Sequence, residues 1–239
     1  MRLAFISDIH GNARALESVL NDIEKRKIDQ LFVLGDISYR GLDPERSVEM
    51  VRQLKANVIK GNADEWIVRG VQEGEAAEDA IEGMNEEKEW SSSNMSQDSV
   101  QYLKDLPEEI NEEYEGVNIH AFHATPKDLF EVVKPTETDE DMTERLMANE
   151  VADIYIYGHI HTPYIRHIGG KIVINTGSVG LPFDGLAQPS YAIVDIEDGG
   201  VQTSIVRTNY DLEELVEDIN SSDYPNKDLL RKLLMNASV

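Results

Sequence analysis

Seven residues stand out for the chemistry that their types allow: Asp8, His10, Asp36, Asn62, His123, His159 and His161. Asp8-Ile9-His10 and His159-Ile160-His161 are i, i+2 pairs, and Asp36, Asn62 and His159 each follow a glycine. On extended or loop backbone an i, i+2 pair aims two side chains at one point or at two neighbouring ones. Carboxylate, imidazole and amide oxygen make a mixed oxygen and nitrogen ligand set. It suits divalent Mn, Fe, Zn, Co or Ni better than calcium or an all-oxygen magnesium site. Seven ligands exceed what one such ion takes from protein with a position left open, so two ions sharing one carboxylate fit the count. Taken singly, each residue reads as a helix cap, a turn residue or a structural histidine. Their joint placement at successive strand ends does not. His120 lies within a strand and His167 in a hairpin, so both are assigned to structure, leaving four of the six histidines as ligands.

The elements that must position these residues follow from hydrophobic periodicity. Residues 2–7 form an apolar run ending at Asp8, a buried strand. Ala15, Leu16, Val19, Leu20 and Ile23 repeat at helical spacing, which predicts a helix over 12–26. A second buried strand, Leu31-Phe32-Val33-Leu34, stops at Gly35-Asp36, and Pro44 opens a helix with an apolar stripe of Val48, Val51 and Leu54. The third strand covers 57–60 and ends at Gly61-Asn62. Strand, helix, strand, helix, strand is the pattern of parallel βαβ units, and open α/β sheets place ligands beyond the carboxyl ends of their strands. Later, residues 117–122 alternate towards His123, residues 137–149 are predicted helical, and 153–157 run as a strand into Gly158-His159. Two hairpins follow, Tyr164–His167 with Lys171–Ile174 and Tyr191–Asp195 with Val201–Arg207, and helical patterns at 210–220 and 226–235 close the chain.

The chain has 239 residues, 22 Lys and Arg against 46 Asp and Glu, and no cysteine. Disulfides, cysteine-based zinc sites and thiol nucleophiles are therefore excluded. A formal charge of −24 repels nucleic-acid backbones, so a groove tracking long DNA is not expected. No apolar run reaches the roughly 18 residues of a membrane span, the N-terminal apolar stretch is short for a signal peptide, and a cytoplasmic location is the expectation. Residues 65–115 hold sixteen acidic residues and only three basic ones, Arg69, Lys88 and Lys104. Two or three helices are expected there, with a helical insertion or cap over about 65–106 and the acids as a solvated face. The whole chain, 1–239, reads as one domain.

The motif blocks resemble those of the calcineurin-like metallophosphoesterase superfamily. Asp8-Ile9-His10, Gly35-Asp36, Gly61-Asn62, His123 and Gly158-His159-Ile160-His161 are similar to its five blocks. Gly35-Asp36-Ile37-Ser38-Tyr39-Arg40-Gly41-Leu42-Asp43-Pro44, Phe122-His123-Ala124-Thr125-Pro126 and Asn175-Thr176-Gly177-Ser178-Val179-Gly180 resemble its small prokaryotic branch, often labelled phosphodiesterases. The resemblance runs from residue 1 to about residue 195. It implies an α/β fold, a four-layer αββα sandwich of two mixed β-sheets flanked by helices. It also implies two divalent transition-metal ions, Mn first among them. Asp8, His10 and His161 would hold one ion, Asn62, His123 and His159 the other, and Asp36 would bridge both. Asp36, Asn62 and His123 would stand at the reacting centre. In that scheme a water between ions about 3.5–4 Å apart becomes hydroxide and attacks phosphorus in line. A neutral Asn62 keeps the net positive charge that hydroxide and phosphate require.

One block departs from the family pattern. Many members read Gly-Asn-His-Asp/Glu, where the histidine positions substrate or protonates the leaving group, whereas this chain has Gly61-Asn62-Ala63-Asp64. General-acid help is worth roughly 10²–10⁴-fold, so its loss favours leaving groups that need little protonation, such as nucleotide phosphates or aryl esters. Asp64 is assigned to capping the next helix. Asn12 and Arg40 are candidate contacts to a substrate phosphate, through an amide or helix N-terminus and through a guanidinium respectively. The expected activity is hydrolysis of small phosphodiesters or nucleotide-like phosphoesters. A Ser/Thr protein phosphatase is the alternative, and a catalytically retired binding scaffold, which predicts eroded ligands, comes last.

Overall fold

The computed structural model describes residues 1–147 and 151–238. Among the described residues ten strands form two mixed sheets of five. The first contains β1 (Arg2–Ile6), β2 (Gln30–Val33), β3 (Ala56–Val58), β9 (Ser190–Glu197) and β10 (Gly200–Arg207), in the order β10-β9-β1-β2-β3. The second contains β4 (Glu109–Tyr114), β5 (Val117–Phe122), β6 (Ile154–Tyr157), β7 (Tyr164–Ile168) and β8 (Lys171–Asn175), in the order β4-β5-β6-β8-β7. Each sheet has a parallel core, β1-β2-β3 in one and β5-β6-β8 in the other, with antiparallel strands added at its edges. The late hairpin β9-β10 therefore extends the first sheet.

Alternation along the strands builds the layers. Leu3 and Phe5 of β1 and Phe32 of β2 point between the sheets, where they meet Ile119, Ile154, Ile156 and Ile174 of the second sheet. Ala4, Ile6 and Val33 point the other way, under helices α1 (Ala13–Lys25), α2 (Pro44–Gln53), α3 (Asn62–Arg69) and α5 (Gln97–Asp105). Tyr155, Tyr157 and Val173 face the outer side of the second sheet, covered by Met142 and Leu146 of α6 (Asp139–Leu146). Helix, sheet, sheet, helix is the four-layer sandwich that the resemblance implies. Helix α4 (Ile81–Ser93) packs beside α3, while α7 (Leu212–Ser221) and α8 (Lys227–Asn236) bury Leu215, Ile219, Leu230, Leu233 and Leu234 in a separate cluster against Leu181. Among the described residues no helix is long and apolar enough to cross a membrane.

Three local readings change. The helix expected over 137–149 is α6, Asp139–Leu146, and positions 148–149 of that range lie outside the described residues. The third strand ends at Val58, although the Ile59 amide still donates to the Val33 carbonyl at 2.9 Å. The end of the acidic stretch is a strand, β4, paired antiparallel with β5. Glu109 and Glu113 face solvent on this edge strand while Ile110 and Tyr114 pack on the inter-sheet core, so its charge hides an ordinary alternation.

Phe5 and Phe32 stack at 4.5 Å between ring centroids, 8° from parallel, in the middle of the inter-sheet core. Replacing Phe32 by alanine leaves a cavity there, and a loss of about 3–5 kcal/mol is expected in chemical denaturation.

Candidate metal centre

Parallel strands bring their carboxyl ends together, and both sheets turn that end to one place. Asp8, Asp36 and Asn62 follow β1, β2 and β3, His123 follows β5, and His159 and His161 follow β6. Six of the seven residues are buried and His159 is half-buried. Ligating atoms of Asp8, His10, Asp36 and His161 all lie within 4.8 Å of one another, a cluster that can hold a metal ion. Asn62, His123 and His159 adjoin it: Asn62 Oδ1 is 2.9 Å from His123 Nε2 and 2.8 Å from His159 Nδ1. Asp36 stands between the two groups, with Oδ2 3.5 Å from His10 Nε2 and Oδ1 3.4 Å from His123 Nε2.

Hydrogen bonds on the outer side of the imidazoles fix which nitrogen faces inward. Nδ1–H of His10 donates to the Tyr39 carbonyl at 2.9 Å, that of His123 to the Leu34 carbonyl at 2.7 Å, and that of His161 to the Leu181 carbonyl. The inward Nε2 atoms of His10 and His161 then carry lone pairs, as does that of His123 once a cation replaces its extra proton. With Nδ1 of both rings protonated, Nε2 of His10 and of His161 face each other at 3.1 Å, and Asp8 Oδ1, 3.2 Å from His161 Nε2, is buried with no hydrogen-bond partner among the described residues. His159 Nε2 is likewise buried without a partner among the described residues. Converging acceptors with nothing to donate to them suit a cation, and the mixed nitrogen and oxygen set suits a divalent transition metal.

The chain adopts unusual backbone to achieve this. Asp8, His10, Asp36, His159 and His161 all have left-handed φ, between 49° and 67°. For residues with a Cβ this costs on the order of 1–2 kcal/mol each and persists only where surrounding bonds over-determine it. Those bonds are present. The amides of Asp8, His10 and Gly11 donate to the carbonyls of Gly35, Asp36 and Ile37, and Gly180 N and Ser178 Oγ both donate to the Asp8 carbonyl. Asp64 acts as a clamp: its carboxylate accepts from the backbone N–H groups of Asp36, Ile37 and Gly61 at 2.8–2.9 Å. It thus caps α3 and fixes the Asp36 loop together. Two glycines permit close approach. A Cβ on Gly61 would strike Asp36 Oδ1, and one on Gly158 would strike Ser7 Oγ and Asp8 Oδ2.

The two expected substrate contacts have different environments. Asn12 is the N-cap of α1: its Oδ1 accepts from Ala15 N, and its Nδ2 donates to the Gly180 carbonyl at 3.0 Å and to Tyr210 Oη at 3.3 Å. Its amide is thereby committed to the fold, while the residue lines the same cavity as His10 and Arg40. Arg40 donates Nε to Glu87 Oε2 at 2.9 Å, and its terminal nitrogens have no hydrogen bond among the described residues. Sequence reading missed Phe183, which stacks on His161 at 4.4 Å and 13° and carries no recognisable motif, and it missed that Asp64 clamps the Asp36 loop. The spacing of Asp64 two residues after Asn62 was the available signal.

Electrostatics follow from burial and crowding. Burial lowers His10 to about 4, with His161 adding to the effect, and burial and then His123 lower His159 to about 4. Burial also opposes charge on His123, but Asp36 beside it outweighs this and holds its pKa at about 9. Without a cation, the carboxylates recruit a proton to that ring. Burial and then the Asp36 charge push Asp64 up to about 7 against the pull of its three N–H donors.

Two outcomes are expected. In metal-free protein, the unfolded chain protonates His10 and His159 near 6.5 while the folded chain resists until about 4, so stability falls as pH drops through that window. The raised His123 contributes stability that is full below 6.5 and is lost as pH rises to about 9. Melting temperatures after chelator treatment should therefore peak near 6.5 and decline on both sides; no decline between 6.5 and 9 would contradict the raised His123. Asp64→Asn places an NH₂ group against backbone N–H, and metal affinity measured by calorimetry should weaken by roughly 10–100-fold with the fold retained.

Comparison with known proteins agrees with this geometry. The family model of the calcineurin-like phosphoesterase superfamily domain matches residues 1–199. The protein MJ0912 of Methanocaldococcus jannaschii is 31% identical over 244 residues, covering 93% of each chain. A metallophosphoesterase crystal structure from Sphaerobacter thermophilus superposes with a TM-score of 0.78 at 24% identity, covering 99% of both chains. The hypothetical protein PH1004 from Pyrococcus horikoshii superposes with a TM-score of 0.83 at 18% identity, covering 98% of this chain and 97% of that one. A family match over most of its length, with a two-sheet sandwich and a cluster of acids and histidines at the strand ends, places this chain in the calcineurin-like phosphoesterase superfamily.

Proposed function

We propose that the protein is a dinuclear metal-dependent phosphoesterase that hydrolyses small phosphodiesters or nucleotide-like phosphoesters. The observation that carries this is the position of Asp36, one oxygen turned to the His10 side and the other to the His123 side. Asp8, His10 and His161 would hold one ion, Asn62, His123 and His159 the second, and Asp36 would serve both. Such ions, Mn first among them, supply Lewis acidity to the phosphoryl oxygens and activate water near neutral pH. Asp36, Asn62 and His123 would stand at the reacting centre, and the outward Nδ1–H bonds of His10, His123 and His161 keep those three rings from turning away.

Arg40 offers two terminal nitrogens to a phosphoryl oxygen in the geometry guanidinium groups favour. The buried Ala63 has no proton to give, so leaving groups that depart without protonation are the better substrates. The full ligand set argues for turnover over a retired scaffold, and the −24 charge argues for a small substrate over a long polyanion.

The test is kinetic. Metal-reconstituted protein should cleave a bis-aryl phosphodiester faster than a phosphopeptide, chelation should abolish turnover, and Mn²⁺ should restore it. Asp36→Asn and His123→Ala should each lose at least about 100-fold, since partners one shell further out are already worth roughly 10–100-fold. Full turnover in those variants would end the proposal, and a preference for the phosphopeptide would turn it into the Ser/Thr phosphatase reading.

A further inference from the structure

Of the sixteen acids between 65 and 115, Glu87 alone is buried, at 1% exposure. It sits on α4, whose other acids, Glu82, Glu86 and Glu89, are at least partly exposed. An ion is desolvated only at a cost of several kcal/mol, and the geometry of its partners decides what that burial achieves. Glu87 Oε2 accepts from Arg40 Nε at 2.9 Å and lies 3.2 Å from Tyr39 Oη, which is also 3.0 Å from the Met84 carbonyl. The same carboxylate thus grips two consecutive residues of the loop whose Tyr39 carbonyl orients His10. Arg40 itself has left-handed φ, 67°, so the loop does not rest in that shape by local preference. Arg40 and His10 line one small cavity, of about 10 Å³, with Gly41 and Leu230. Arg40 is therefore a neighbour of His10, one of the four clustered residues.

We propose that Glu87 is a positioning residue: by holding Nε of Arg40 it fixes the guanidinium so that both terminal nitrogens remain available to a tetrahedral oxyanion at the metal centre. The acidic insertion then belongs to the anion site through one side chain, while its remaining acids stay solvated. Bonding to Nε rather than to the terminal nitrogens is what makes this assignment specific. A carboxylate facing the guanidinium fork would occupy both terminal nitrogens and close the site to an anion. The inference rests on the reading of Arg40 as a phosphoryl contact.

Inorganic phosphate is the probe, titrated calorimetrically into metal-loaded protein, with bound metal measured on the same samples. Glu87→Ala should raise the phosphate dissociation constant about 10-fold at unchanged metal content, within the roughly 10–100-fold range expected of hydrogen bonds to charged groups. Glu87→Gln, whose amide oxygen can still accept from Nε, should stay within about 3-fold of wild type. In an Arg40→Ala background Glu87→Ala should add nothing. If Glu87→Ala does not fold, Glu87→Asp, which withdraws the carboxylate by one methylene, should weaken phosphate several-fold. An unchanged constant in that variant or in Glu87→Ala, an equal loss in the Arg40→Ala background, or loss of metal would overturn the proposal, as would a wild type that binds no phosphate. Phosphate binding that follows this pattern in a protein that cleaves no phosphoester would sink the hydrolase reading and leave the role of Glu87 standing.

Discussion

Buried lone pairs that face each other with no proton between them repel, and most of what is unusual in this molecule serves to hold them in that arrangement. The inward nitrogens of His10 and His161 and the free oxygen of Asp8 would relax apart if their backbones allowed it. They are prevented by bonds on the far side of each group. Main-chain carbonyls of Tyr39, Leu34 and Leu181 tether the rings, and the Asp64 carboxylate gathers three N–H groups behind Asp36. Left-handed backbone at five of the seven positions is the cost of the arrangement, and it is concentrated where a cation would return the stabilisation.

The charge distribution supports the same division of labour. A protein carrying a net −24 concentrates divalent cations around itself and repels phosphates. Local positive charge at the centre must therefore overcome a field set by the rest of the surface. In the proposed arrangement Arg40 supplies part of that charge, and Glu87 removes little of its reach because it bonds on the Nε side.

The candidate metal positions could be brought to one place from the sequence because they cluster at the ends of apolar runs, where strand ends are set by short-range pattern. Asp8, Asp36, His123 and His159 could be placed from that alone, and the βαβ order implied that their strands lie side by side. Other features depended on tertiary pairing. β4 was hidden because Glu109, Glu112 and Glu113 on an edge strand look like the solvated helices that precede them. Asn12 carries the same side chain whether it caps a helix or touches a ligand, and only the folded chain shows its amide bonded to Gly180 and Tyr210. Glu87 was one acid among sixteen, and nothing in its neighbours marks it as the one that turns inward.

The cluster draws Asp8, His10, Asp36 and Asn62 from the first sheet and His123, His159 and His161 from the second. A cation there would be a rivet through both halves of the sandwich, joining layers that otherwise adhere mainly by non-directional apolar packing. Occupancy then becomes a mechanical property of the whole molecule: a site filled at 100 times its dissociation constant adds about 2.7 kcal/mol against unfolding. Scarcity of the ion would loosen the seam between the layers as well as silence the chemistry.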